Sequence, residues 1–151
     1  MLFFKLIHLF AVLIWVGGMF FAYVVLRPAA VDTLQPPERL RLWDSVFRRF
    51  FNWVWGAAGL ILVTGLYMIY QYGGMAHVAH YVHIMLLLGL LMVFIFAYVF
   101  FGCYVPFSLH VAKERWQDAG LILSKIRYLI AVNLALGLVT IAVAKIGLLW
   151  G

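Results

Sequence analysis

Charge is what this chain has least of. Only 11% of its 151 residues are charged and just 5 are acids, too few to clothe a soluble surface. Cysteine occurs once, as Cys103, so no disulfide can form within the chain and the residue reads as a small packing group. No HExxH, P-loop or nucleophile elbow is present, and no paired carboxylates lie inside an apolar run, so hydrolytic and nucleotide chemistry find no support. What fills the chain is hydrophobe, 68% of it, with a mean hydropathy of +1.08. Four apolar runs, at about 2–26, 50–72, 80–105 and 128–150, each reach the roughly 20 helical residues that cross a hydrocarbon core. They lack the period of barrel strands. The expected fold is therefore all-α and integral to the membrane: one antiparallel four-transmembrane-helix bundle over 1–151, with interfacial amphipathic connections and no soluble module attached. The first run is long for a signal peptide, carries Lys5 early and ends in Arg27-Pro28 without a small-x-small site, so it is expected to be retained.

The few charges are unevenly placed. Arg27, Arg39, Arg41, Arg48 and Arg49 lie between the first two runs, and Lys113, Arg115, Lys125 and Arg127 between the last two. All the acids share these connections, whereas residues 71–79 carry no charged side chain. The positive-inside rule puts both charged connections in the cytoplasm. Both termini and the 73–80 turn then face outward, into the periplasm if the membrane is a bacterial inner membrane. The net charge of +6 follows from this asymmetry and from contact with anionic lipid, not from nucleic acid. The lipid bilayer is the expected partner, with a second copy of the chain as a protein candidate. After Pro36-Pro37, Leu40, Trp43, Val46, Phe47 and Phe50 recur at helical spacing among arginines, the pattern of a helix lying on the cytoplasmic face. The second connection looks alike, and its His110 reads as a plain interfacial histidine. An echo between halves, His8 then Asn52 and His83 then Asn133, leaves an old duplication open.

Histidine is scarce, and its placement is informative. His8, Ala11, Trp15, Gly18 and Ala22 share one face of the first run, and Gly18 with Ala22 forms a small-xxx-small pair that lets helices approach. His83, Leu87, Leu90, Phe94 and Ala97 make a stripe on the third run. Asn52, Gly56, Gly59 and Val63 do so on the second, and Asn133, Gly137, Thr140 and Ala144 on the fourth; all four stripes are expected to face the bundle axis. His8 and His83 each lie near the outer start of a helix running inward, in helices that are diagonal neighbours in an antiparallel bundle. Two imidazoles at one depth in a membrane suggest a shared metal centre. Haem b suits them: paired imidazoles hold its iron axially, Gly17, Gly18 and Gly89 leave room for a macrocycle beside aromatics such as Trp15, and Lys5 and Lys145 can pair with propionates. Hydrogen-bonded structural histidines, and lysines that merely snorkel, are the plainer alternatives. Copper is the competing centre. Met75, His77, His80 and His83 are closely spaced at the outer turn, and thioether and imidazole are copper ligands.

The stretch LIHLFAVLIWVGGMFFAYVVLRPA resembles the first helix of the copper-resistance D (CopD-like) membrane proteins, in which a His followed by a WVGG-type segment opens a four-helix unit. YVHIMLLLGLLMVF resembles their His-bearing third helix. The same arrangement is similar to HemJ-type protoporphyrinogen oxidases, which are of comparable length and bind haem. The resemblance implies a bacterial inner-membrane protein in copper handling or haem-linked redox chemistry, with other membrane redox subunits or a periplasmic copper protein as its partners and with His8 and His83 as the positions onto which a ligand role carries. The expected function is thus a membrane protein holding one redox metal centre, haem b between His8 and His83, near the periplasmic face. A copper-uptake protein using the turn cluster, a HemJ-like oxidase and a metal-free assembly subunit stand as alternatives, and whether the chain is an enzyme stays open.

Overall fold

The computed structural model describes residues 1–150, with side chains through Leu149. Four helices, Leu2–Thr33, Pro36–Gln71, His80–Ala112 and Trp116–Leu149, are each long and apolar enough to cross a membrane, and no strand occurs among the described residues. Short turns reverse the chain between them, giving the expected antiparallel order. The first span packs most closely on the second and the third on the fourth, while the fourth also touches the first.

The charged connections differ from expectation. They are not separate helices lying on the membrane but extensions of the spans themselves. Only Leu34 and Gln35 separate the first two helices, and the second starts at Pro36 with a capping box in which the Gln35 amide donates to Glu38 Oε2 at 3.3 Å. At about 1.5 Å per residue its 36 residues run roughly 54 Å, well beyond the ~30 Å hydrocarbon core. The physical reason is that the amphipathic face finds protein to bury against. Leu40, Trp43 and Phe47 are buried, Phe47 stacks on Phe51 at 5.0 Å between ring centroids, and Tyr104 and Phe107 of the third span meet Phe47 edge-on.

Spans one and three share a device. Each widens into a π-helical segment, Phe21–Leu26 and Val99–Tyr104, just before Arg27-Pro28 and Val105-Pro106. Proline lacks the amide hydrogen and its ring crowds a carbonyl of the preceding turn, and a wider turn absorbs the misfit. The repetition agrees with the echo between the two halves.

Two of the four stripes face the core as expected. Ala11, Trp15 and Ala22 of span one and Asn133 and Gly137 of span four are buried. The other two do not. Span two buries Phe51, Val54, Ala58 and Thr64 and leaves Asn52, Gly56, Gly59 and Val63 exposed. Span three buries Met92, Phe96, Val99 and Cys103, while Leu87 and Phe94 are 68% and 72% exposed. Toward lipid a helix gains nothing by being polar, so its outer face is as apolar as its inner one and the stripe with the small or polar residues need not be the packed one.

Candidate functional site

The uncharged end is built on a glycine turn. Gly73 and Gly74 have φ of 93° and 90°, a region that L side chains rarely adopt, and their amides cap the second span by bonding to Tyr70 and Ile69 carbonyls at 3.1 and 2.9 Å. A single 3-10 turn, Met75–His77, follows, and the third span starts at His80 after an extended Ala79. Met75, His77 and His80 are exposed and His83 is half-buried.

The ring nitrogens of these histidines are not equivalent. His77 Nδ1 lies 2.9 Å from the Gly73 carbonyl, and His83 Nδ1 lies 3.4 Å from the Ala79 carbonyl. A carbonyl oxygen only accepts, so each Nδ1 carries the proton and each Nε2 presents its lone pair. His8 reaches the same state by another route. Its Nδ1 is 2.8 Å from Thr64 Oγ1, and the Thr64 hydroxyl is itself donated to the Leu60 carbonyl. With that proton committed, Thr64 accepts from His8 Nδ1–H, and Nε2 of His8 is left with no hydrogen-bond partner among the described residues yet not sealed from the surface. Orientation through the other ring nitrogen is how metal-ligating histidines are held.

The structure distributes the expected site residues unequally. His80 and His83 are neighbours, their ring centroids 6.3 Å apart. No group of three or more His, Cys, Asp or Glu side chains is gathered as a metal site among the described residues, so the turn cluster is not assembled as a cage. Lys5 Nζ sits 5.9 Å from the Tyr72 ring centroid, and Lys145 is exposed on the fourth span. Trp15 is a core residue with its ring edge-on to Phe96 at 6.1 Å. Gly18 does not open space for a macrocycle, because the Phe50 ring already occupies the place its Cβ would take. At the charged end, His110 Nδ1 lies 4.0 Å from Asp118.

A single haem clamped by both His8 and His83 of one chain does not fit these faces. Met92 and Phe96 turn toward the fourth and first spans, where Met92 meets Gly137 and Phe96 meets Trp15. From Met92 back to His83 is about two and a half turns at roughly 3.6 residues per turn, so His83 leaves the helix on the opposite side. His8 looks toward Thr64 and Gly65 of span two instead. Sequence reasoning also passed over Thr64, whose partner is a distant span, and it did not foresee that Asn133 donates to the Met92 carbonyl at 3.2 Å while its Oδ1 stays unpartnered and buried.

Compared with known proteins, residues 44–146 match the family model described as Copper resistance protein D. Neither the curated proteins nor the solved structures yield a match.

Proposed function

The chain belongs to the copper resistance protein D family, and from that premise we propose that it binds copper at its uncharged end, through the Nε2 atoms of His80 and His83, with His77 and the Met75 thioether completing the donor set from the turn. The observation that carries this reading is the fixed tautomer: carbonyls hold Nδ1–H of His77 and His83 and leave Nε2 free. Imidazole suits Cu(II) and thioether suits Cu(I), so the set accepts the ion in either state. Because Met75, His77 and His80 are exposed, the turn meets ions from bulk solvent, and the positive-inside rule favours the non-cytoplasmic side, which in a bacterial inner membrane is the periplasm.

A second reading has its own support. Haem b held by His8 alone is favoured by the His8–Thr64–Leu60 hydrogen-bond chain, which fixes the ring with Nε2 outward. Haem would bring one-electron chemistry, and this chain's part would be to hold and orient one axial imidazole.

One set of purified samples tests both. Copper titrated into the metal-free protein, followed by electron paramagnetic resonance, should give a nitrogen-coordinated Cu(II) signal that His80→Ala/His83→Ala removes and His8→Ala keeps. A Soret band lost in His8→Ala but kept in His83→Ala would favour the haem reading. A colourless protein that takes up no copper would leave a metal-free assembly subunit.

A further inference from the structure

A cavity of about 470 Å³ opens at the charged end, between the close of the first span and the starts of the second and fourth. Its wall is mostly apolar, with Trp43 and Trp116 prominent, and Arg27, Arg39, Arg127 and Ser124 also line it. Two other arginines nearby are paired, Arg41 with Glu114 at 3.2 Å and Arg48 with Asp44 at 2.8 Å. Among the described residues no carboxylate pairs with Arg27, Arg39 or Arg127. Arg27 lies over the Tyr23 ring at 5.1 Å, and Arg127 donates to Ser124 Oγ at 3.3 Å. All three arginines are half-buried as residues, and none of them has gained an anion.

We propose that this cavity holds the headgroup of an anionic phospholipid, its phosphate among Arg27, Arg39 and Arg127 and its glycerol and first acyl carbons against Trp43 and Trp116. Guanidinium forks match phosphate oxygens in pairs, and like charges grouped round one cavity repel until an anion sits between them. The apolar wall decides which anion. A free phosphate would bring only hydrated oxygens to it, whereas a lipid brings carbon attached to the same phosphate. The height is right as well, because tryptophans collect at the headgroup level of a bilayer. A zwitterionic lipid carries its own cation and leaves the three guanidinium charges uncompensated. An occupied site would tie three helices together at the end where only a two-residue turn joins the first pair.

The test uses the full chain in dodecylmaltoside. Brominated phosphatidylglycerol, brominated phosphatidylcholine and inorganic phosphate are titrated separately while tryptophan fluorescence is read. The phosphatidylglycerol should quench saturably, the phosphatidylcholine much less, and phosphate at matched ionic strength should not compete. Arg27→Gln/Arg39→Gln/Arg127→Gln should weaken the quenching by at least about tenfold, the size expected for losing charge-assisted hydrogen bonds. Arg49→Gln, an exposed arginine outside the cavity, should leave it unchanged. If the triple variant loses its helical circular dichroism, Arg39→Gln and Arg127→Gln alone carry the comparison. Equal quenching by both lipids, competition by phosphate, or arginine variants that bind like the parent would each overturn the proposal.

Discussion

At the scale of single residues, the same bond occurs twice with different consequences. Thr64 and Thr140 both return their hydroxyl to the carbonyl one turn back, Leu60 and Leu136 respectively, as hydroxyl residues in apolar helices do. Only Thr64 then has an imidazole on its free lone pair. Sequence shows a threonine in an apolar run and nothing more, because the partner lies 56 residues away. Thr64→Val keeps the shape and removes the acceptor, leaving His8 Nδ1–H unpaired, so it should destabilise the protein by about 1–3 kcal/mol. Thr64→Ser should restore most of that loss. Thermal unfolding in detergent checks the ranking, and a Thr64→Val protein as stable as the parent would show that the contact adds nothing. Copper binding at the turn should be indifferent to both changes, since His77 and His83 take their orientation from carbonyls.

At the scale of elements, what a helix contributes depends on which face it packs, and glycine reports this clearly. A Cβ at Gly137 would lie 2.8 Å from Val16 Cγ2 and 3.2 Å from the Met92 methyl, whereas a Cβ at Gly56 would meet nothing within 4 Å. Gly137→Ala should therefore cost about 1–3 kcal/mol through overpacking. Gly56→Ala should be neutral or stabilise by up to about 1 kcal/mol through helix propensity. Unfolding in mixed sodium dodecyl sulfate and dodecylmaltoside micelles measures both, and equal effects would mean the second span is rotated from the face described. The same contrast explains what the sequence made legible. The existence and order of the four helices follow from length and apolarity alone, since a backbone in hydrocarbon must satisfy its own hydrogen bonds. The faces of spans one and four followed from their small and polar residues. Spans two and three misled, because Asn52, Gly56 and Gly59 look like packing residues yet face outward, and large residues such as Phe51 and Phe96 fill the core. The amphipathic connections were legible as helices but not as continuations of the spans, since the protein surface that covers Phe47 comes from the third span.

At the scale of the whole molecule, every charged side chain between the first two apolar segments and between the last two lies at one end, and the glycine turn with its histidines lies at the other. The bilayer turns that polarity into an orientation. Lys and Arg are retained on the cytoplasmic side during insertion, so the turn should face outward, and an even number of spans returns both termini to that side. The copper reading depends on this, because exposed imidazoles at the turn collect ions from whichever compartment they face. The lone cysteine makes the point measurable. Cys103 is buried, and Cys103→Ala gives a background free of thiols. Ala76→Cys, in the turn, and Lys113→Cys, at the charged end, are both exposed positions. A membrane-impermeant maleimide applied to intact spheroplasts should label Ala76→Cys at once and Lys113→Cys only after permeabilisation. The reverse pattern would put His77, His80 and His83 on the cytoplasmic side, where they would meet copper already inside the cell, and the protein would have to be read as an exit or a sensor rather than an external receiver. Labelling of both positions in intact cells would mean that the chain inserts in two orientations, with the positive charge of its connections too weakly biased to fix one.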